Sequence, residues 1–231
     1  MRVNGIELAP KAKLENLNMA GQNLSGVDLR EARLHHANFE GADLSFAVLD
    51  DALLVGANFN GSNLSKARFL GARLPLAKLS GAILAGTDFI DANLNKAKMT
   101  QALISGACFL NAELDDADLS SATMLGGSFE SSQMKRANLS GADLQAVSFS
   151  HSNMNHANLR ESNLTGSKFI GTHMKMTDLS FADLTDVDLT YANLTDANMS
   201  NSASPRTKFY MTTMPDGNFR TGDRKDKPFK I

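Results

Sequence analysis

The chain has 231 residues, a formal net charge of −2 and 42% hydrophobic residues, which are ordinary values for one or two folded domains. A charge this close to zero disfavours direct nucleic-acid binding. The single cysteine, Cys108, excludes an internal disulfide and a cysteine-cluster metal site.

Membrane insertion and secretion are also disfavoured by the sequence. No run of 18 apolar residues is present, which excludes a transmembrane helix. Residues 1–24 lack the contiguous apolar segment of a secretory signal, so such a signal is absent or already removed. We therefore expect a cytoplasmic location and no membrane partner.

The first predicted element is an N-terminal cap formed by residues 1–11. Val3-Asn4-Gly5-Ile6 contains the Asn-Gly pair that is typical of a tight hairpin turn. A short hairpin here would cover the open edge of the structure that follows.

A five-residue repeat then runs without insertion over residues 12–201. Every fifth residue from Leu14 to Met199, 38 positions in all, is Leu, Phe, Met or Ile. We call these residues centres. Two residues before each centre lies a small residue, usually Ala, with Leu17 and Gln22 as the large exceptions. A period of five fits neither a helix nor a strand, so the pattern predicts a solenoid in which both classes point inward.

The phenylalanines indicate the length of one coil. Six of them recur every 20 residues, which predicts four pentapeptides per coil and aromatic rings stacked at about 4.8 Å. The repeats then predict about ten coils of 20 residues and a rod about 45 Å long. We call this series the Phe ladder: Phe69, Phe89, Phe109, Phe129, Phe149 and Phe169.

Glycine and proline mark the corners of the coil. Thirteen of the 17 glycines lie two residues after a centre, and four of the five prolines lie one residue after a position in the same five-residue phase as the centres. Proline followed by glycine at the two central positions is typical of a type II β-turn. Ten of the thirteen glycines fall on two of the four sides. This distribution predicts type II turns mainly on those two sides and other turn types after the Phe ladder.

The repeat weakens after residue 201. Ser204 replaces a large centre and Pro205 follows it, so residues 202–219 are predicted to form an irregular terminal coil. Phe209, Met214 and Phe219 restore the phase of the centres there. Residues 220–231 are predicted to be a polar C-terminal tail, and the whole chain one solenoid domain.

The motif Ala-(Asp/Asn)-Leu-x-x, as in Ala42-Asp43-Leu44 and Ala192-Asn193-Leu194, resembles the pentapeptide-repeat family over residues 12–219. The resemblance implies an all-β fold, the right-handed quadrilateral β-helix, and its handedness comes from the resemblance alone. Residues 212–217 also resemble the last coil of many bacterial members. Some dimeric members associate through a C-terminal helix or coil, so we expect a monomer or an end-to-end dimer through a terminal coil.

Members of this family have different functions, and the repeat itself does not choose among them. Some mimic DNA and bind type II topoisomerases, whereas others are effectors or thylakoid-lumen proteins. The topoisomerase-protecting members often carry loops that interrupt the coil, and this repeat has no such loop.

One candidate surface is acidic. Carboxylates at outer positions beside the Phe ladder could imitate DNA phosphates on a rod of near-duplex width, or could form an ordinary solvated face. We call these residues the acidic row: Asp28, Glu31, Asp50, Asp51, Asp88 and Asp91.

A group of basic residues argues against an extended duplex mimic. We call Arg73, Lys78, Lys96 and Lys98 the basic band. Acidic residues follow in the next coil, and Lys135 and Arg136 come after them. This alternation favours weak ion pairs between coils. The acidic residues are Glu113, Asp115, Asp116 and Asp118.

A second candidate surface is apolar. Leu70, Ile90 and Leu110 follow ladder centres, and Ile83 and Leu103 precede the centres of another side. Outward apolar residues that lie together can contact a partner. The alternative is an aliphatic ladder that only stabilises the rod.

The sequence contains no recognisable catalytic or metal-binding set. The five histidines are dispersed over outward positions, and Cys108 has no histidine in the adjacent coils. No phosphate loop or dinucleotide fingerprint is present. Asn18, Asn38 and Asn58, and later Asn138 and Asn158, are predicted to stack as structural amide ladders. We therefore expect no enzymatic activity and no cofactor.

The leading hypothesis is a non-enzymatic structural or protein-interaction scaffold. Its partner would be another protein of unknown identity. The alternative, taken from the resemblance and the acidic row, is a DNA mimic that binds a type II topoisomerase such as gyrase and protects or inhibits it.

Overall fold

Successive coils pair through parallel bridges at a spacing of 20 residues. The computed structural model describes residues 1–221. Its bridges join residue i to residue i+20, from Lys13 with Arg33 to Asn193 with Thr213. Each extended piece contributes one bridged residue, because the turn of the next pentapeptide interrupts it. The 20-residue period predicted from the phenylalanine spacing is therefore confirmed.

Four short strands lie at the two ends of the described chain. Strands β1 (Arg2–Val3) and β2 (Ile6–Glu7) form an antiparallel hairpin. Asn4 and Gly5 between them have φ of 52° and 80°, as a type I′ turn requires. Near the other end, β3 (Thr212–Thr213) pairs antiparallel with β4 (Phe219–Arg220).

The interior is filled by the centres and by the small residues two positions before them. From Met19 onward the large centres of the repeat are buried, whereas Leu14, in the first coil, is only partly buried. The rings of the Phe ladder stack with centroid separations of 4.4 to 5.3 Å. Phe39 and Phe59 form a separate stacked pair, 5.1 Å apart. The inward orientation predicted for both residue classes is confirmed.

The predicted distribution of turn types is wrong. Every fifth residue from Lys11 to Met211 has a positive φ, whether or not it is glycine. After the Phe ladder, for example, Gly71 and Asp91 have φ of 62° and 57°. The corner backbone must follow the coil beneath it to keep the bridges, so stacking imposes the left-handed conformation. Non-glycine residues adopt it at a cost of about 1–2 kcal/mol each.

The expectation that Phe219 is a core centre is also wrong. Phe209 and Met214 are buried, but Phe219 is 58% exposed. After Met214 the chain reverses direction, and Thr213 pairs with Phe219 across the β3–β4 hairpin. This reversal takes Phe219 off the inward phase. The predicted polar tail, residues 220–231, lies outside the described residues from position 222 onward.

Candidate protein-interaction surface

Large apolar side chains face solvent in three successive coils on one side of the rod. Ile83, Leu103 and Leu125 are 40%, 48% and 43% exposed. Ile83 and Leu103 are partners in a parallel bridge, and Leu125 belongs to the following coil. We call these three residues the apolar patch. They flank the buried centres Leu84, Ile104 and Met124, and they face outward because side chains alternate along an extended backbone.

The bridge row of Ile83 and Leu103 carries hydrogen-bonding residues elsewhere. Asn63, in the preceding coil, accepts a hydrogen bond from the N–H of Ser65 at 3.1 Å. Asn163, further along the row, accepts one from Thr165 at 3.2 Å. Isoleucine and leucine cannot accept such bonds. The chain therefore replaces structural hydrogen bonds with exposed apolar surface at these two positions.

On its own side of the rod, the apolar patch has no charged residue within its three coils. The other outward positions of this side in the same three coils are alanine, serine, threonine or glycine. The nearest charged residues along this side are Lys66 in the coil before and Asp143 in the coil after. The result is a neutral, largely apolar area on a rod whose other surfaces alternate in charge.

Leu125 is the patch residue that sequence reasoning missed. It follows a centre instead of preceding one, so it did not belong to the Ile83–Leu103 series. Gly126 and Gly127 come next. In the other described turns of this side, the N–H three residues after the centre donates to the carbonyl of the centre. The turn at Gly126 and Gly127 lacks this bond between the Gly127 N–H and the Met124 carbonyl. The consecutive glycines were the available signal.

The structure divides the five predicted partner-contact residues between two neighbouring sides. Leu70, Ile90 and Leu110 form a column through consecutive coils, in which the Gly71 N–H bonds the Ile90 carbonyl at 3.0 Å. All three are only half-buried, less exposed than the apolar patch. The column therefore offers less surface to a partner than Ile83 and Leu103 do.

Half of the acidic row is neutralised by neighbouring bases. Arg30 lies 2.6 Å from Asp28, and its hydrogen bond lowers the pKa of that carboxyl group below the usual 3.8. The other two ion pairs join Glu31 to Lys11 at 3.5 Å and Asp50 to Arg68 at 2.9 Å.

The remaining acidic-row contacts are hydrogen bonds within the rod. Asp88 accepts the N–H of Ile90 at 3.1 Å, and Asp91 accepts the side-chain amide of Asn111 at 3.1 Å. The predicted ion pairs between coils exist for Arg136 and Asp116, at 2.6 Å. For the basic band the prediction is wrong, because none of its members forms an ion pair with a described residue.

Two of the histidines and several asparagines have structural contacts. His36 and His151 lie over Gly56 and Gly171 in the following coils. The amide ladder is confirmed, for example between Asn58 and Asn38 at 3.1 Å. Within residues 1–221, no group of three or more His, Cys, Asp or Glu side chains could hold a metal ion. No helix in that range is long and apolar enough to cross a membrane.

Comparison with known families gives one match. The model of the pentapeptide repeats matches in eight copies, with matched ranges that extend from residue 11 to residue 201. A comparison with curated protein sequences finds no match. The matched ranges are 11–45, 42–81, 76–111, 112–150, 142–180 and 162–201.

Several solved structures are similar to this chain. HetL, a pentapeptide repeat protein involved in heterocyst differentiation regulation from the cyanobacterium Nostoc sp. strain PCC 7120, is 26% identical, with 91% of this chain and 92% of HetL aligned and a TM-score of 0.49. QnrB1, a plasmid-mediated fluoroquinolone resistance protein, is 16% identical over 85% of this chain and 93% of QnrB1, with a TM-score of 0.49. A pentapeptide repeat protein of the Arabidopsis thaliana thylakoid lumen is 30% identical over 55% of this chain and 68% of its own length, with a TM-score of 0.24.

Proposed function

Since this chain belongs to the pentapeptide-repeat family, we propose that it is a non-enzymatic scaffold that binds another protein through its outer surface. The scaffold is the family's right-handed, four-sided β-helix, with about ten coils. The partner is a protein and not a nucleic acid or a membrane. The scaffold acts as a monomer or as an end-to-end dimer through a terminal coil.

The apolar patch is the observation that carries this proposal. Its three side chains keep 40% to 48% of their surface in water, although nearby positions in the bridge row of Ile83 and Leu103 bear hydrogen-bonding residues. Covering the exposed part of each side chain would contribute about 1 kcal/mol. The buried centres already fill the inside of the rod, so the proposed contacts are on its surface.

The surrounding geometry suits a flat protein contact. Gly86, Gly106 and Gly126 occupy the corner beside the patch and place no side chain there. A partner could therefore approach the backbone closely at Gly106 and Gly126, whereas the Lys66 side chain lies beside Gly86. The half-buried column of Leu70, Ile90 and Leu110 is the second proposed contact region, on the neighbouring side.

A matched pair of substitutions tests the apolar patch. Leu103→Lys places a charge in the patch, and Gln133→Lys places the same charge one residue before a centre on another side. We expect a protein cross-linked to the wild-type chain in cells, then purified, to bind the Gln133→Lys variant normally and the Leu103→Lys variant at least about tenfold more weakly. Equal binding to both folded variants would contradict the proposal for this surface. Ile90→Lys tests the column in the same assay.

The alternative function is a DNA mimic that binds a type II topoisomerase. It rests on the family and on the acidic row, and the three ion pairs within that row reduce its negative charge. A supercoiling assay with purified gyrase decides it. If micromolar protein neither inhibits gyrase nor protects it from a quinolone, this alternative is excluded.

A further inference from the structure

One bridge row of the rod is almost entirely asparagine and aspartate. In this row the side-chain amide of Asn58 donates to Asn38 at 3.1 Å, and Asn158 donates to Asn138 at the same distance. Each oxygen also accepts a backbone N–H two residues later, as Asn58 does from Asn60 at 3.1 Å. We call this row the amide row. Its hydrogen bonds tie each coil to the next and hold the following turn.

Lys78 and Lys98 interrupt the amide row. They are bridge partners of each other, both are exposed, and Asn58 and Asp118 precede and follow them. A lysine has no acceptor, so neither can hold the N–H two residues later. Like charges at neighbouring cross-strand positions are also destabilising. The chain therefore loses the amide bonds between coils at these two positions and gains a repulsion, while the Ser80 N–H is held instead by the Asn60 side chain at 3.0 Å.

No ion pair with a described residue compensates this charge. Within residues 1–221, neither lysine forms an ion pair, and neither do Arg73 and Lys96, which complete the basic band. Asp116 lies one coil beyond Lys96, but it is held by two hydrogen bonds from Arg136, at 2.6 and 2.8 Å. Four exposed cations thus lie on two successive coils without a fixed partner.

Leu76 lies at the corner between Arg73 and Lys78. It is 54% exposed and has a φ of 61°. A bulky residue in the left-handed region costs about 1–2 kcal/mol, and an exposed leucine recovers little of it by packing. Glycine occupies the same corner one coil earlier, at position 56. Packing inside the rod therefore gives no reason for a leucine at this corner.

We infer that the basic band together with Leu76 is a docking surface for an acidic protein segment that carries an apolar residue. The cations provide charge complementarity and Leu76 provides an apolar contact at their centre. A nucleic acid or an anionic membrane fits less well, because Glu113, Asp115, Asp116 and Asp118 follow immediately in the next coil and would repel an extended polyanion. This surface is separate from the apolar patch and does not depend on it.

The first test asks whether the lysines reduce the stability of the rod. Replacing both, Lys78→Asn with Lys98→Asn, restores the amide row. We expect the midpoint of thermal unfolding to rise by about 2–4 °C. Leu76→Gly removes the cost of holding a leucine in the left-handed backbone conformation, so it should also raise the midpoint of thermal unfolding. A lower or unchanged midpoint in both variants would overturn the inference, because the residues would then have a structural role.

The second test uses a random peptide display library panned on the wild-type chain. We expect the enriched peptides to contain several acidic residues and at least one apolar residue. They should bind the Lys78→Asn/Lys98→Asn variant at least about tenfold more weakly and Leu76→Gly more weakly than wild type. Lys168→Asn, which removes an exposed lysine on another side, is the matched control and should bind normally.

Three results would overturn this inference. They are the absence of acidic peptides among those enriched, equal binding to the double variant, and tighter competition by a single-stranded oligonucleotide or by phosphatidylserine vesicles than by the peptide. The Leu103→Lys variant separates the two proposals. It should keep peptide binding here even if it loses the partner of the apolar patch.

Discussion

His36 lies directly over Gly56 of the next coil, with its Nδ1 atom 2.8 Å from the position that a Cβ atom of residue 56 would occupy. His151 and Gly171 repeat this arrangement at 2.9 Å. Glycine at these corners therefore has two functions: it adopts the positive φ and it leaves room for a side chain of the preceding coil. Gly61, with a φ of 63°, has only the first function, because no atom lies within 4 Å of its missing Cβ.

We predict that Gly56→Ala destabilises the protein more than Gly61→Ala does. Ala146 already adopts a φ of 57°, so alanine at Gly61 should cost about 1 kcal/mol. At Gly56 the displacement of His36 from its rotamer adds about 1 kcal/mol. Chemical denaturation of the two variants measures the difference. If His36→Ser in the Gly56→Ala background does not recover it, the steric explanation is wrong.

The Phe ladder should be most sensitive near its middle. Phe109 stacks between Phe89, at 4.8 Å, and Phe129, at 4.4 Å, and is fully buried. Phe109→Ala should reduce the free energy of unfolding by about 3–5 kcal/mol, because the stacked rings cannot close the cavity. Phe109→Leu should cost clearly less, since leucine is the common centre on the other sides. Urea unfolding measures the free energy of unfolding of both variants. Equal losses in the two variants would show that filling the space of the ring does not matter at this position.

Buried serine and threonine at the small inner positions bond to different coils. Ser62 donates to the Phe59 carbonyl of its own coil at 2.8 Å, whereas Thr87 donates to the Leu64 carbonyl of the preceding coil at 2.8 Å. Ten buried serines and threonines of this class follow the same rule. The serines are Ser62, Ser132, Ser152, Ser162 and Ser167, and the threonines are Thr87, Thr172, Thr177, Thr207 and Thr212.

This difference predicts the result of substitution at Thr87. Thr87→Val keeps the shape but removes the bond between coils, so it should cost about 1 kcal/mol. Thr87→Ser should transfer the bond to Leu84 of its own coil, which a crystal structure of the variant would show. The prediction for Thr87→Ser is wrong if the serine hydroxyl still donates to the Leu64 carbonyl.

Ion pairs between coils predict a pH dependence of stability. Hydrogen bonds from Arg136 lower the pKa of Asp116 below its usual 3.8, and those from Arg206 lower the pKa of Asp186. A carboxyl group with a lower pKa in the folded state stabilises it above pH 3.8, and this contribution is lost as the pH falls through the lowered value. Because these side chains are exposed, the effect should be small.

The measurement is the midpoint of thermal unfolding as a function of pH. The wild-type midpoint should fall more steeply below a pH of about 4 than that of the Asp116→Asn/Asp186→Asn variant. High salt should reduce the difference by screening the pairs. Parallel curves for the two proteins would show that these pairs do not contribute.

Much of the fold could be predicted because every coil repeats the same environment. The centres from Leu14 to Met199 show which residues are buried, and the spacing of the phenylalanines determines which residues are neighbours one coil apart. Asn38 and Asn58 could therefore be placed in contact from their numbers alone. Their hydrogen bond of 3.1 Å follows from this register.

The candidate surfaces were only partly predictable. Ile83 and Leu103 could be found from their spacing, but Leu125 could not, because it follows its centre and does not belong to their series. Charge alternation from the basic band to Arg136 predicted ion pairs between coils, yet Arg136 is paired and Lys98 is not. Whether two opposite charges meet depends on rotamers and on competing partners, which the repeat does not encode.

The sequence by itself determined the period, the inward residues and the register between coils, since these depend on a hydrophobic pattern that repeats every five and every 20 residues. The tertiary structure decided the left-handed conformation at every corner, the exposure of Phe219 and the position of His36 over Gly56. These features depend on contacts with the coil above or below and on a reversal of the chain. A local five-residue pattern contains no information about either.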